Sequence, residues 1–195
     1  DIDAVMERTR RRPIPQGRIE PRYALLYGTL LTAGGLSISW LLGPMIFVIG
    51  LLGVLDNIIV YSLLAKRRTA ANVILGSFSG GAPVLIGWMV ARGTIDLMGV
   101  IAAVLVVLWI PNHIWNLALY YVNDYRKVGV PMLPAVVDVK KAARCIVSTV
   151  LLLTVFSVIP FALGFLGNVY LIISMPFTIL LAAGNIRLAL KPSRK

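Results

Sequence analysis

Acidic and basic side chains crowd together in two short stretches of this 195-residue chain. The first reads Asp1-Ile-Asp3-Ala-Val-Met6-Glu7-Arg8-Thr9-Arg-Arg-Arg12-Pro13-Ile-Pro15 and sets Asp3 close to Arg8 and Arg12. The second reads Tyr121-Val-Asn123-Asp124-Tyr125-Arg126-Lys127-Val-Gly129-Val-Pro131-Met-Leu-Pro134. Prolines 13, 15, 131 and 134 keep either stretch from being a long helix interior. Carboxylates set among arginines and lysines suit one ligand type, a magnesium-bridged diphosphate. Hard Mg²⁺ takes carboxylate and phosphate oxygens and keeps several waters, and Arg and Lys neutralise the remaining phosphate charge. The same residues also read as ordinary solvated loop charges. A third feature is a stripe. Trp109, His113, Asn116, Tyr120 and Asp124 recur every three or four residues, which puts them on one helix face leading down to the second acidic stretch. Polar groups facing hydrocarbon are costly, so this face is expected to line the bundle interior or a cavity. Its alternative role is hydrogen-bonded glue between helices.

The elements that must position these residues are membrane spans. The chain is 58% hydrophobic and 14% charged, with mean hydropathy +0.86, against about a quarter charged in ordinary soluble domains. That composition excludes a disordered chain, an ordinary soluble enzyme and, with one cysteine (Cys145), a disulfide scaffold. A bilayer core needs about 20 apolar residues per helix. Such stretches occur at 23–42, 45–65, 70–91, 97–121, 145–163 and 168–189, and Asp56 alone among acidic or basic residues interrupts an interior. Each must be a helix, because open sheet edges are not tolerated in lipid. The expected fold is therefore all-α, a polytopic transmembrane bundle of six spans. All of the 19 basic residues except Arg92 fall at 8–22, 66–68, 122–144 or 187–195. With six spans these four segments share one side, so both termini are expected in the cytoplasm. The net charge of +11 is thereby an address, and nucleic-acid binding is not expected.

Within the spans, Asp56 is expected to pair with a polar neighbour or to meet a pocket. The glycines at 34–35, 76 and 80–81 are expected to permit close helix approach. Met6 reads as packing, and Cys145, at a helix start with no metal-ligand spacing, is assigned no role.

The first stretch resembles the latter part of the aspartate-rich motif of UbiA-type intramembrane prenyltransferases, together with the Arg-Pro-Ile-Pro run that follows it. More narrowly, Asp1-x-Asp3-x-x-Met6-x-Arg8-Thr9-x-x-Arg12-Pro13 looks like the protohaem IX farnesyltransferase branch. So do Tyr61-Ser62-x-x-x-Lys66-Arg67-x-Thr69-x-x-Asn72, Gly76 and the run Gly80-Gly81-Ala82-Pro83 to Trp88. Trp109-Ile-Pro111-Asn-His113, continuing to Asp124-Tyr125-x-x-x-Gly129-Val130-Pro131, is similar to that branch's second motif region. The likeness runs from residue 1 to about residue 140, in order and in register. Two departures stand out. The second stretch has Asn123-Asp124 in place of two spaced acids, and the family's first motif begins further upstream than Asp1. The family also has spans before and after these six. The chain is thus expected to be a single domain over 1–195, a fragment inactive by itself.

The resemblance implies transfer of a farnesyl group from farnesyl diphosphate to a vinyl group of haem b, giving haem O, with Mg²⁺ as cofactor. Asp3 and Asp124 would hold the metal, and Lys66 would act with them in catalysis. Arg8, Arg12, Tyr61, Arg67, Asn72, Trp109, His113, Asn116, Tyr120, Tyr125, Arg126 and Lys127 would contact the substrates, with His113 orienting the porphyrin or ligating its iron. It further implies a cell-membrane location and an association with haem A synthase or terminal-oxidase assembly. Two other readings remain open at this point. One is prenyl transfer to a quinone precursor or glycerol lipid; the other is a non-catalytic membrane subunit or transporter.

Overall fold

The computed structural model describes residues 2–190, so Asp1 and the tail residues Lys191, Arg194 and Lys195 lie outside the described residues. The described residues form helices α1 (Ile2–Val5), α2 (Pro21–Leu42) and α3 (Pro44–Leu55), the last continuing as a π-helix over Asp56–Ala65. They continue as α4 (Asn72–Leu75), α5 (Phe78–Arg92), α6 (Leu97–Tyr120) and α7 (Val122–Lys127). The last three are α8 (Leu133–Val136), α9 (Val139–Ala162) and α10 (Asn168–Leu190). Pro21–Leu42, Pro44–Ala65, Asn72–Arg92, Leu97–Tyr120, Val139–Ala162 and Asn168–Leu190 are long and apolar enough to cross a membrane. The all-α, six-span expectation holds.

Neighbouring spans pack in chain order, α2 on α3, α3 on α5, α5 on α6, α6 on α9 and α9 on α10. Glycines set the tightest of these approaches. A Cβ on Gly80 would lie 2.3 Å from the Ile110 side chain, and one on Gly81 2.8 Å from Val107, so α5 and α6 can meet only without side chains there. Gly53 meets Ala82 across α3 and α5 in the same way. Gly34 and Gly35 do not fit this pattern. Each faces open space on α2, a helix with no buried residue. Small residues permit approach, but a second helix must be there to use it.

Three further features correct the sequence reading. The fifth span starts at Val139, six residues before the expected 145, because Asp138 caps it by accepting from Lys140 N at 2.9 Å. Lys140, Lys141 and Arg144 therefore ride on the first turns of α9 and not in a loop, and Cys145 lies inside the helix. The second span changes register at Asp56, where i→i−5 bonding begins; Lys66 N donates to Tyr61 O at 2.7 Å. The third span is broken between α4 and α5.

That break explains Asp56. At the N-cap of α5, Ser77 sends its hydroxyl to Val73 O at 2.6 Å and leaves the helix start uncapped. Asp56 supplies the missing acceptor from the neighbouring span, taking Ser79 N–H at 2.8 Å on Oδ2. A carboxylate at a helix N-terminus also meets the positive end of the helix dipole. Of the two fates open to Asp56, pairing with a neighbouring polar group is the one observed.

Candidate active site

The short elements and the ends of the spans with basic residues gather at one end of the bundle. Alternate spans run in opposite directions, so residues 2–20, the turn after Ala65 and the segment 121–138 meet there. A small core holds them together: Met6, Val73, Trp115, Ala118, Tyr125, Val130, Met132 and Ile146. Met6 is 2% exposed and anchors the first acidic stretch. Thr9 is buried beside it, and its hydroxyl donates to Asp3 O at 2.9 Å, which closes the stretch into a compact turn.

The two carboxylates named from the sequence border that turn. Asp3 Oδ2 pairs with Arg12 Nη1 at 2.9 Å, both side chains about half-exposed. Asp124, 6% exposed, accepts Arg8 N–H on Oδ2 at 3.3 Å. The Arg8 guanidinium lies over the Tyr121 ring, 5.5 Å from its centroid. The first and second acidic stretches are therefore joined, with one carboxylate open to solvent and one buried at the seam.

The turn after the π-helix brings the third motif to the same end. Lys66 Nζ lies 5.8 Å from the centre of the Tyr61 ring. Any side chain at residue 76 would run into Tyr61, since a Cβ there would be 2.7 Å from Tyr61 Cβ. Asn72 is fully buried. Its Nδ2 reaches Lys66 O at 3.5 Å and its Oδ1 has no protein partner. Arg67 is exposed on the same turn and Lys127 on α7. Arg126 is half-committed elsewhere, its Nε donating to Ala135 O at 3.2 Å.

The polar stripe of α6 divides. Trp109 and His113 stack, ring centroids 4.7 Å apart and planes 12° from parallel. With Asn112, Asn116, Leu180, Leu181, Gly184 and Asn185 they line a groove of about 360 Å³ between α6 and α10. Asp124 does not continue this face. The helix breaks at Tyr121, and Asp124 turns into the core while Tyr120 is 80% exposed. Periodicity of α6 cannot be carried across that break to Asp124; Tyr120, the last residue of α6, faces outward from the groove and packs edge-on against Tyr121, ring centroids 4.7 Å apart. Asn112 and Asn185, to which the sequence reading gave no role, are both buried and belong to the groove. The signal available for each was a lone amide inside an apolar span, the kind of residue that is costly unless paired.

Among the described residues no group of three or more His, Cys, Asp or Glu side chains is placed to hold a metal by itself. Asp3 and Asp124 beside arginines nevertheless fit Mg²⁺ as that ion is usually bound with phosphates, by one or two carboxylates with the substrate completing the shell.

The UbiA prenyltransferase family pattern matches residues 1–195. The chain belongs to this family. It is 43% identical over 196 residues to the "Protoheme IX farnesyltransferase" of Desulforudis audaxviator, covering 100% of the chain and 62% of that relative. Similarity to the protein of the same name from Korarchaeum cryptofilum is 40% over 194 residues, covering 100% of the chain and 66% of the relative. The one from Pyrobaculum islandicum is 47% identical over 143 residues, 73% of the chain and 51% of the relative. The chain thus spans between about half and two thirds of the length of these relatives. No solved structure matches it. Membership in this family and the six apolar helices make it a multi-pass membrane protein, and UbiA-family prenyltransferases generally bind their diphosphate substrate through a divalent metal.

Proposed function

We propose that the protein transfers a farnesyl group from farnesyl diphosphate to the terminal carbon of a vinyl group of haem b, with diphosphate leaving and water adding to the vinyl carbon next to the ring, forming haem O. The observation that carries the reading is the seam at which Arg8 N–H meets buried Asp124, with the Asp3–Arg12 pair on the same stretch; Lys66 rides on the turn that follows the second span. Carboxylates and cations converge there at one end of the bundle, as a metal-bound diphosphate requires, and not at mid-depth as an ion path would. Similarity to relatives named protoheme IX farnesyltransferase favours haem b over a quinone precursor or glycerol lipid.

Asp3 and Asp124 would hold Mg²⁺, which supplies Lewis-acid stabilisation of the departing diphosphate. Arg8, Arg12, Lys66, Arg67, Arg126 and Lys127 supply positive charge around the leaving group as the allylic C–O bond lengthens. Asn72, fully buried, braces the turn that carries Lys66, its Nδ2 reaching Lys66 O at 3.5 Å. Tyr61 and Tyr125 wall the inner side of the site, where their rings exclude water from the cationic allyl group. Trp109, His113 and Asn116 receive the acceptor along the α6–α10 groove; His113 lies about 10 Å below the end of α6 at 1.5 Å per residue.

We further propose that the basic end faces the cytoplasm, that the membrane is the cell membrane, and that the product passes to haem A synthase or terminal-oxidase assembly. Membranes carrying the full-length protein, given haem b, farnesyl diphosphate and Mg²⁺, should form a new, more apolar haem. Asp3→Asn and Asp124→Asn should each cut its formation by several powers of ten. A prenylated product formed only with a quinone precursor, or no product at all, overturns the reading.

A further inference from the structure

Helices α6 and α10 are not packed backbone to backbone; each leans on α9. Across the gap between them reach three amides. Asn116 Nδ2 donates to Asn185 Oδ1 at 2.8 Å and to Asn112 O at 2.9 Å. Asn112 Nδ2 donates to Ile146 O on α9 at 3.2 Å and lies 3.4 Å from Asn185 Oδ1. Asn185 Nδ2 is returned to its own helix, on Leu181 O at 2.8 Å. Asn185 Oδ1 is thus the acceptor on which both α6 amides converge.

Stability does not account for this cluster. Interhelical hydrogen bonds in membranes are weak, because the unfolded helices also find partners, and apolar side chains would close the gap at least as well. The amides bridge the gap at hydrogen-bond distance. The space between the two helices is the groove of about 360 Å³, and the residue that opens into it is His113. His113 stacks on Trp109 and has no hydrogen bond among the described residues, so its ring nitrogens are free for a ligand. An imidazole beside a flat aromatic wall, in a slot between apolar helices, suits a planar, metal-bearing ring system.

We infer, resting on the reading of His113 as an acceptor residue, that Asn185 is a positioning residue: its side-chain oxygen sets the width of the α6–α10 groove and so the approach of the tetrapyrrole to His113. Asn185 lies outside the motifs that carry the diphosphate chemistry, at the other end of the sequence from Asp3. Its substitution therefore changes acceptor binding and leaves diphosphate binding alone.

The test is a titration of the protein in lipid nanodiscs with ferric protohaem, read by the position and amplitude of the Soret band, beside a separate titration with Mg²⁺ and farnesyl diphosphate. Wild type should give a saturable band of imidazole-bound haem that His113→Ala abolishes. Asn185→Leu, which removes the acceptor oxygen, should weaken haem binding about tenfold and shift the band, through loss of two neutral hydrogen bonds. Asn185→Asp retains the oxygen and should recover most of the affinity. Farnesyl diphosphate binding should be the same in all. Wild-type haem affinity and band position in Asn185→Leu overturn the inference while leaving the acceptor reading intact. Should Asn185→Leu lose its helical circular dichroism, Asn185→Gln decides, since it keeps the amide but lengthens the bridge; wild-type haem binding in that variant also overturns the inference. Unchanged haem binding in His113→Ala instead overturns the acceptor reading on which it rests.

Discussion

Replacing Met6 by alanine should undock the first acidic stretch while leaving the spans intact. Met6 is 2% exposed and packs in the core that Trp115, Tyr125, Val130 and Met132 share with Val73 and Ile146. Truncating a buried methionine to alanine costs about 2–5 kcal/mol. The polar contacts that would still tie the stretch to the bundle include Arg8 N–H to Asp124 at 3.3 Å and the Arg8 guanidinium over the Tyr121 ring, 5.5 Å from its centroid. A hydrogen bond to a charged acceptor contributes about 1.5–3 kcal/mol, and an exposed cation–π contact about 0.5–1 kcal/mol. The loss is thus comparable to all that remains. At the lower bound of about 2 kcal/mol, the undocked population rises about 30-fold, since 1.4 kcal/mol is a factor of ten. Trypsin reads this directly, because the bonds after Arg8, Arg10 and Arg11 lie in the stretch and cleavage tracks the open population when reclosing is fast. In nanodiscs at limiting trypsin, Met6→Ala should be cut there at least about 30 times faster than wild type. Met6→Leu, which conserves volume, should stay within about tenfold. Cleavage within this stretch at the wild-type rate in Met6→Ala would refute the idea that Met6 is its anchor.

Two more outcomes follow from the geometry. Asp56→Leu removes the acceptor that caps α5 and should destabilise the third span by about 0.5–2 kcal/mol, seen as faster amide exchange at Phe78, Ser79 and Gly80; Asp56→Asn retains a carbonyl acceptor and should exchange at nearly the wild-type rate. Exchange unchanged in Asp56→Leu would mean that another group caps the helix. Single cysteines at residues 10, 67 and 127 should all react with an impermeant thiol reagent from the cytoplasmic side, and one at residue 166 only from the opposite side; labelling of residues 10 and 67 from opposite faces would exclude the six-span arrangement.

Spans, fold class and the gathering of charge at one end of the bundle were all legible in the sequence. Each follows from a property summed over many residues: about 20 apolar positions per crossing, or a basic excess in alternate loops. Such sums are insensitive to the placement of any one side chain. Motif residues near the turns at the basic end of the bundle were legible for a related reason, since Asp3, Arg8 and Arg12 fall within one local turn and Asp124 and Tyr125 within another.

Relations between separate segments were not legible. The stripe from Trp109 to Asp124 failed at Tyr121 because helical periodicity holds only while the helix does, and the break there depends on Asp124 and Tyr125 packing against the first acidic stretch. Asp56 found its partner in Ser79 because Ser77 bonds backward to Val73, a choice made by the geometry of a break in another span. Gly80 and Gly34 look alike in sequence, yet Ile110 stands against the first and nothing against the second. Asn185 acquires its place only when α9 brings α10 within reach of α6. A hydrogen bond across 69 residues of chain has no local signature; it exists because packing of intervening helices fixes two backbones at the one separation that an amide pair can span.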